Sequence, residues 1–300
     1  MSRGLALILK GQFMRPWLAI VLCLLAWPVH AVQVLDDRGV AVDLARPPQR
    51  IVTMLPSLAE TVCELGACDR LVGVDNYADW PRSVQQLPRV GGVEDANIEM
   101  IVSLKPDLVL LSATSRAIER LQGLGLHVYG AELKTLADVH RTLTRIGQLL
   151  DTPGAERVWS RIDKGIDQAA LSVPARLRGT SVYFEIASGP YAASESSHIG
   201  ELLTRLGAAN IVPGRLGSVP KLNPEFVVRA DPQVIMIPAS AAAPLAQRPG
   251  WHRIRALREG RVCALSPAQS DVVVRPGPRL AEAAQVLAHC LQQRGKEAAE

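Results

Sequence analysis

Aromatic side chains are scarce in this chain: five Trp, four Tyr and three Phe among 300 residues. A cleft that grips a ligand by stacking would have few faces to use, so each one must be accounted for. Cysteine is scarce as well, with five residues and no C-x-x-C pair, which excludes the common tetrahedral zinc frameworks. No block of Lys or Arg occurs. The formal charge is +4, and because residues 1–31 hold Arg3, Lys10 and Arg15 but no acid, the remainder is close to neutral, with no footprint for nucleic acid. Enzyme fingerprints are absent too: there is no G-x-S-x-G elbow, Walker loop, dinucleotide glycine motif or H-E-x-x-H. The set of catalytic residues is therefore empty. An exported hydrolase built on Ser57 is a distant alternative.

What is present begins with an export signal. The basic residues above precede the apolar run WLAIVLCLLAW from Trp17 to Trp27, which ends in Val29-His30-Ala31. The run is well short of the roughly 20 residues needed to span a bilayer, so cleavage near Ala31 and a periplasmic location are expected. Leu22 before Cys23 does not suit lipid anchoring, and Met14 offers a second, more compact start. Cleavage would leave Cys63, Cys68, Cys263 and Cys290 in an oxidising compartment, where their pairing stays open.

With 48% hydrophobic residues, the chain can bury a large core of two domains. Strand-like and helix-like segments alternate, as in an α/β protein. RIVTMLP is strand-like, and SLAETVCELG then opens as a helix with Ser57 and Glu60 spaced as a capping box and Gly66 as its stop. A helical stretch runs from Leu136 to about Leu177, broken only near DTPG, and alternation resumes at GTSVYFEIA. The expected organisation is a signal peptide (1–31), an N-terminal lobe (32–150), a linking helix (151–177) and a C-terminal lobe (178–300).

The two halves share a grammar. NIEMIVSLKPDLVLL, starting at Asn97, recurs 126 residues later in LNPEFVVRADPQVIMI, with Asn223 for Asn97, Glu225 for Glu99 and Pro232 for Pro106. Each copy reads as an Asn N-cap, a short helix, a proline stop and a strand. Both glutamates fall in a first turn, where they would complement the helix dipole by about 0.3–1 kcal/mol. Equivalent carboxylates on two related lobes would also form a pair of exposed anchors for a symmetric partner.

Taken in order, RIVTMLPSLAETVCELGACDRLVGV, NYADWP and the two repeated stretches resemble the ABC-transporter substrate-binding proteins that capture cobalamin, haem or ferric siderophores. The likeness runs from about Arg50 to Leu291 and is strongest to the vitamin B12-binding branch. It implies two Rossmann-like α/β lobes joined by one long rigid helix, with the ligand in the cleft between them. It also implies that Glu99 and Glu225 meet arginines on an inner-membrane ABC permease dimer that works with its ATPase, while the receptor stays a monomer without a cofactor.

By position in the resemblance, Tyr77, Phe184 and Tyr191 are ring-contacting aromatics, Pro56 and Ser57 form the turn where a strand end meets the cleft, and Arg275 lies on a loop reaching it. Phe184 alternates with Val182 and fits a core position equally well. Trp80 and Trp251 read as packing residues. Val93, Ser112 and Val219 stand where the B12-binding relatives carry further tryptophans, which keeps haem and ferric siderophores in view as ligands. Arg89 or Arg215 could then face a carboxylate, and His198 is the one histidine to test as an axial ligand. No metal cluster is evident.

Overall fold

A computed structural model describes residues 32–187 and 189–293; the expected signal peptide, residues 1–31, lies outside them. A hairpin of β1 (Val32–Leu35) and β2 (Ala41–Leu44) leads in. Then follow β3 (Ile51–Thr53), α1 (Pro56–Glu64), β4 (Leu71–Gly73), α2 (Ile98–Ser103), β5 (Leu108–Ser112), α3 (Ala117–Gly123), β6 (Val128–Ala131) and α4 (Leu136–Leu150). The sheet order is β4-β3-β5-β6, with every pair parallel. The central strand β5 reads LVLLS and is buried over its first four residues, as parallel strands covered on both faces require.

After a break at Asp151–Gly154, α5 (Ala155–Ser172) carries the chain about 27 Å to the second sheet. There β7 (Ser181–Ala187), β8 (Tyr191–Ala192), α6 (His198–Arg205), β9 (Ala209–Asn210), α7 (Pro224–Ala230), β10 (Val234–Pro238), α8 (Ala239–Ala242), α9 (Arg255–Arg258) and β11 (Val262–Leu265) succeed one another. The chain ends in α10 (Pro267–Val274) and α11 (Leu280–Gln292). β9, β7, β10 and β11 pair in parallel, and β8 adds an antiparallel edge at the end of β7.

Counted from each lobe's first strand, both parallel sheets have the order second-first-third-fourth. The duplicated grammar is thus a duplicated topology: α2 and α7 each feed the third strand. Asn97 Oδ1 accepts from Met100 N and Asn223 Oδ1 from Glu225 N, both at 2.9 Å. Glu99 and Glu225 occupy the second helical position in each case. Both helices stop in a left-handed residue, Lys105 at φ 47° and Asp231 at φ 44°, directly before the proline. The first crossover helix repeats its ending as well. Gly66 (φ 82°) and Gly207 (φ 79°) close α1 and α6, and the next amide donates five residues back, Ala67 to Val62 and Ala208 to Leu203. A side chain would oppose that left-handed turn, which is why glycine recurs there.

The capping box at Ser57 and Glu60 does not form. Pro56 takes the first helical position and Leu55 the cap, so Ser57 lies inside α1, where its carbonyl accepts from Thr61 Oγ1 at 2.7 Å. The Glu60 carboxylate turns towards Arg275 instead.

One apolar core runs through both lobes, joining Leu58 and Val62 of α1, Ile146 of α4, Ile162 and Ile166 of α5, and Leu287 of α11. Helices α5 and α11 approach closely: a Cβ on Gly165 would lie 2.6 Å from Ala281 Cβ. Polar ties cross between lobes. His198 N donates to Lys134 O, and Leu136 N to Glu201 Oε2, both at 2.6 Å. Disulfides join Cys63 of α1 to Cys68 just after it, and Cys263 of β11 to Cys290 of α11.

Candidate functional site

In open parallel sheets, ligands bind beyond the carboxyl ends of the strands, where the strand order reverses. Two adjoining cavities lie there in the first lobe. One, about 250 Å³, is lined by Leu55, Ser57, Ser112, Thr114, Lys134 and, from the second lobe, Pro276. The other, about 240 Å³, is lined by Met54, Pro56, Asp75, Tyr77, Val93 and Asp95 among others. The Pro56-Ser57 turn therefore divides the two. Val93 and Ser112, two of the three positions lacking an expected tryptophan, also line these walls. A larger hollow of about 690 Å³ sits at the α4–α5 turn, the far end of α4 from the cleft, and no aromatic residue lines it.

Both lobes carry exposed aromatic side chains beyond the carboxyl ends of their strands. Tyr77 is 73% exposed and Trp80 51%, both on the loop after β4. In the second lobe, Tyr191 on β8 is 43% exposed, and β8 pairs with the segment carrying Val219 and Lys221, itself open to solvent. The Lys221 ammonium lies 5.9 Å from the Tyr191 ring centre.

Three sequence expectations change here. Phe184 offers no ring to a ligand: β7 is paired along both edges and covered on both faces, so Phe184 is fully buried in the shared core. Arg275 is a clamp between the lobes rather than a free ligand contact. Its Nη1 reaches Asp79 Oδ1 at 2.5 Å and Glu60 Oε1 at 3.4 Å, while Nη2 donates to Tyr77 O at 3.2 Å. Arg279 adds its guanidinium 4.7 Å over the Trp80 ring, so two arginines of the C-terminal segment hold the first lobe's aromatic loop. His198 is buried, with Nε2 donating to Val273 O at 3.0 Å, and burial pushes its pKa down to about 4. Its Nε2 is thus committed to the backbone, and the buried ring is a poor axial ligand.

Arg89 is also engaged, donating to Asp75 O at 2.8 Å and Ala78 O at 2.7 Å, whereas Arg215 is exposed. Trp251 is buried edge-on to Tyr183, with the Arg248 guanidinium 4.5 Å over its ring. Arg248 grips the buried Glu185 carboxylate with two 2.7 Å hydrogen bonds, and Tyr183 Oη donates to the same group at 2.9 Å.

Sequence reading missed two acids. Glu60 is buried against Arg275, and burial raises its pKa to about 7 despite the opposing pull of Arg275 and Arg279. Asp75, immediately beyond β4, is 1% exposed; its Oδ1 accepts from Tyr77 N at 2.8 Å, and burial raises its pKa to about 6. For Asp75 the available signal was position alone, an acid following a parallel strand at the sheet's carboxyl edge, whereas Glu60 reads in the sequence only as a capping partner. Among the described residues no cluster of three or more His, Cys, Asp or Glu could hold a metal ion, and no helix could cross a membrane.

Glu99 and Glu225 are both exposed and form no ion pair among the described residues. Because α2 and α7 run into the start of a strand, their first turns lie towards the carboxyl edge of each sheet, on the cleft's side of the lobes.

The profile described as periplasmic binding protein matches residues 51–268. An uncharacterised ABC-transporter substrate-binding lipoprotein of Bacillus subtilis is 28% identical over 278 residues, 88% of this chain and 86% of that one. A cobalamin-binding protein of Halobacterium salinarum is 30% identical over 267 residues, 82% of this chain and 70% of that one. Among solved structures, a periplasmic haem-binding protein from Pseudomonas aeruginosa aligns with a TM-score of 0.71 at 26% identity, over 83% of this chain and 94% of that one.

Proposed function

Because the chain belongs to the periplasmic binding protein family, we propose that it is an extracytoplasmic receptor that captures a corrinoid in its cleft and delivers it to an ABC permease. The observation that carries the ligand reading is the set of exposed aromatics beyond the carboxyl ends of the strands in both lobes, Tyr77 and Trp80 after β4 and Tyr191 beside the end of β7, which suits a flat macrocycle held by apolar contact. The cobalamin-binding relative of Halobacterium salinarum supports the same choice. Export with cleavage near Ala31 belongs to this proposal.

Capture and delivery are separate tasks for this chain. Tyr77, Trp80 and Tyr191 supply apolar contact, and Pro56 and Ser57 shape the floor. The clamps at Arg275 and Arg279 hold the Tyr77–Trp80 loop in place before ligand arrives, so little ordering entropy remains to be lost on binding. The shared core and the ties at Lys134 and Leu136 resist wide opening. Glu99 and Glu225 then present two charges on the cleft side to arginines of a permease dimer driven by its ATPase. Each exposed pair is worth about 0–1 kcal/mol, enough to orient docking but too little to trap the receptor.

Calorimetric titration of residues 32–300 with cyanocobalamin tests the reading. Dissociation constants from nanomolar to low micromolar, about 8–12 kcal/mol, are expected. Absence of heat at several temperatures would overturn it. The solved haem-binding neighbour favours haem as the second reading, and a Soret shift on adding hemin, with no response to cyanocobalamin, would establish it. A ferric siderophore is the remaining ligand of this class.

A further inference from the structure

The cleft loop contains a polar atom without a partner. Asp75 Oδ1 is satisfied by Tyr77 N, but Oδ2 is buried and has no hydrogen-bond donor. The neighbouring cations do not supply one. The Arg89 guanidinium is directed at carbonyl oxygens, and that of Arg275 at Asp79, Glu60, Asp271 and Tyr77 O. A buried acceptor left unmet is destabilising, and more so when charged. Such groups in native proteins call for an explanation, and a ligand's donor is one.

The surroundings define that donor. Asp75 lines the 240 Å³ cavity together with Tyr77, Glu94 and Asp95, and no basic side chain lines it. Asp95 Oδ1 is already taken by Gly92 N at 2.7 Å. A carboxylate or catecholate entering here would face three acids, a repulsive arrangement that discriminates against anionic ligands. An uncharged N–H would instead complete the Asp75 carboxylate, and sites built to hydrogen-bond a polar group reject analogues lacking it strongly.

We propose that Asp75 is the specificity-determining acceptor of this cleft, taking an amide N–H from the ligand's periphery and thereby selecting an amide-bearing macrocycle over a carboxylate-bearing one. The assignment rests on the corrinoid reading, since a corrin ring carries peripheral amides whereas haem carries propionates.

The test compares two corrinoids with the same ring and axial cyanides: dicyanocobinamide, with peripheral amides, and the heptamethyl ester of dicyanocobyrinic acid, which has no N–H donor. Each is titrated into the wild type and Asp75→Asn. The variant keeps an oxygen for Tyr77 N and places an NH₂ where Oδ2 stood, and its melting temperature reports that it is folded. The wild type is expected to bind the amide form at least tenfold more tightly than the ester. Asp75→Asn is expected to weaken amide binding about tenfold and leave ester binding within twofold. Equal wild-type affinity for both, or an unchanged ratio in the variant, would overturn the role of Asp75 while leaving a corrinoid receptor standing. A wild type that binds neither corrinoid would remove the corrinoid reading, and this assignment with it.

Discussion

Replacing Glu60 with Gln should make the protein more stable at neutral pH, although Glu60 sits 3.4 Å from an arginine. The carboxylate is almost wholly buried, and burial outweighs the pull of Arg275 and Arg279, raising its pKa from 4.5 to about 7. A carboxyl raised in the folded state binds its proton more tightly there than in the unfolded chain. Its contribution is complete below about pH 4.5 and is lost as pH rises through about 7. At about 1.4 kcal/mol per tenfold change in proton affinity, the loss amounts to about 3 kcal/mol. His198 works in the opposite direction: its pKa is lowered to about 4, so its contribution is complete above about 6.5 and is lost as pH falls through 4. The wild-type profile alone would mix these two with Asp75, whose pKa is also raised, whereas the difference between wild type and Glu60→Gln isolates Glu60. Urea unfolding followed by circular dichroism from about pH 4.5 to about pH 8 measures it. The difference should move by about 3 kcal/mol in favour of Gln across that interval. Parallel profiles would refute the claim that desolvation dominates at this site.

Other consequences are as concrete. Arg248→Met strips the buried Glu185 carboxylate of both guanidinium bonds and should cost about 3–5 kcal/mol in unfolding free energy, read by denaturant titration. Gly165→Leu drives a side chain into Ala281 across the α5–α11 contact; a loss of about 1–3 kcal/mol is expected, visible as a lowered melting temperature. Glu99→Lys and Glu225→Lys should each depress transport in vesicles carrying the cognate permease while ligand affinity, measured separately, stays put. A large fall in affinity would show that these residues serve the cleft rather than the partner.

Much of the architecture was local and therefore legible. An Asn cap, a proline stop and the strand after it each act within a few residues, so the Asn97 and Asn223 stretches announced the same helix-to-strand unit twice, and the fold places each before its lobe's third strand. Gly66 marked the end of α1 for the same reason, since a left-handed turn favours glycine regardless of what packs nearby. The sequence by itself thus determined the α/β class and the duplication.

Tertiary structure decided whatever depended on distant partners. Ser57 and Glu60 had the spacing of a cap, but Pro56 claimed the first helical position and Arg275, remote in sequence, claimed the carboxylate. Phe184 lost its place in the cleft because a strand covered on both faces gives alternation no meaning. The Cys263–Cys290 disulfide, the Arg248–Glu185 pair and the unpartnered oxygen of Asp75 likewise arise where separate segments meet. Backbone preferences are set by neighbours in the chain, whereas burial and charge pairing are set by neighbours in space, and only the folded molecule specifies those.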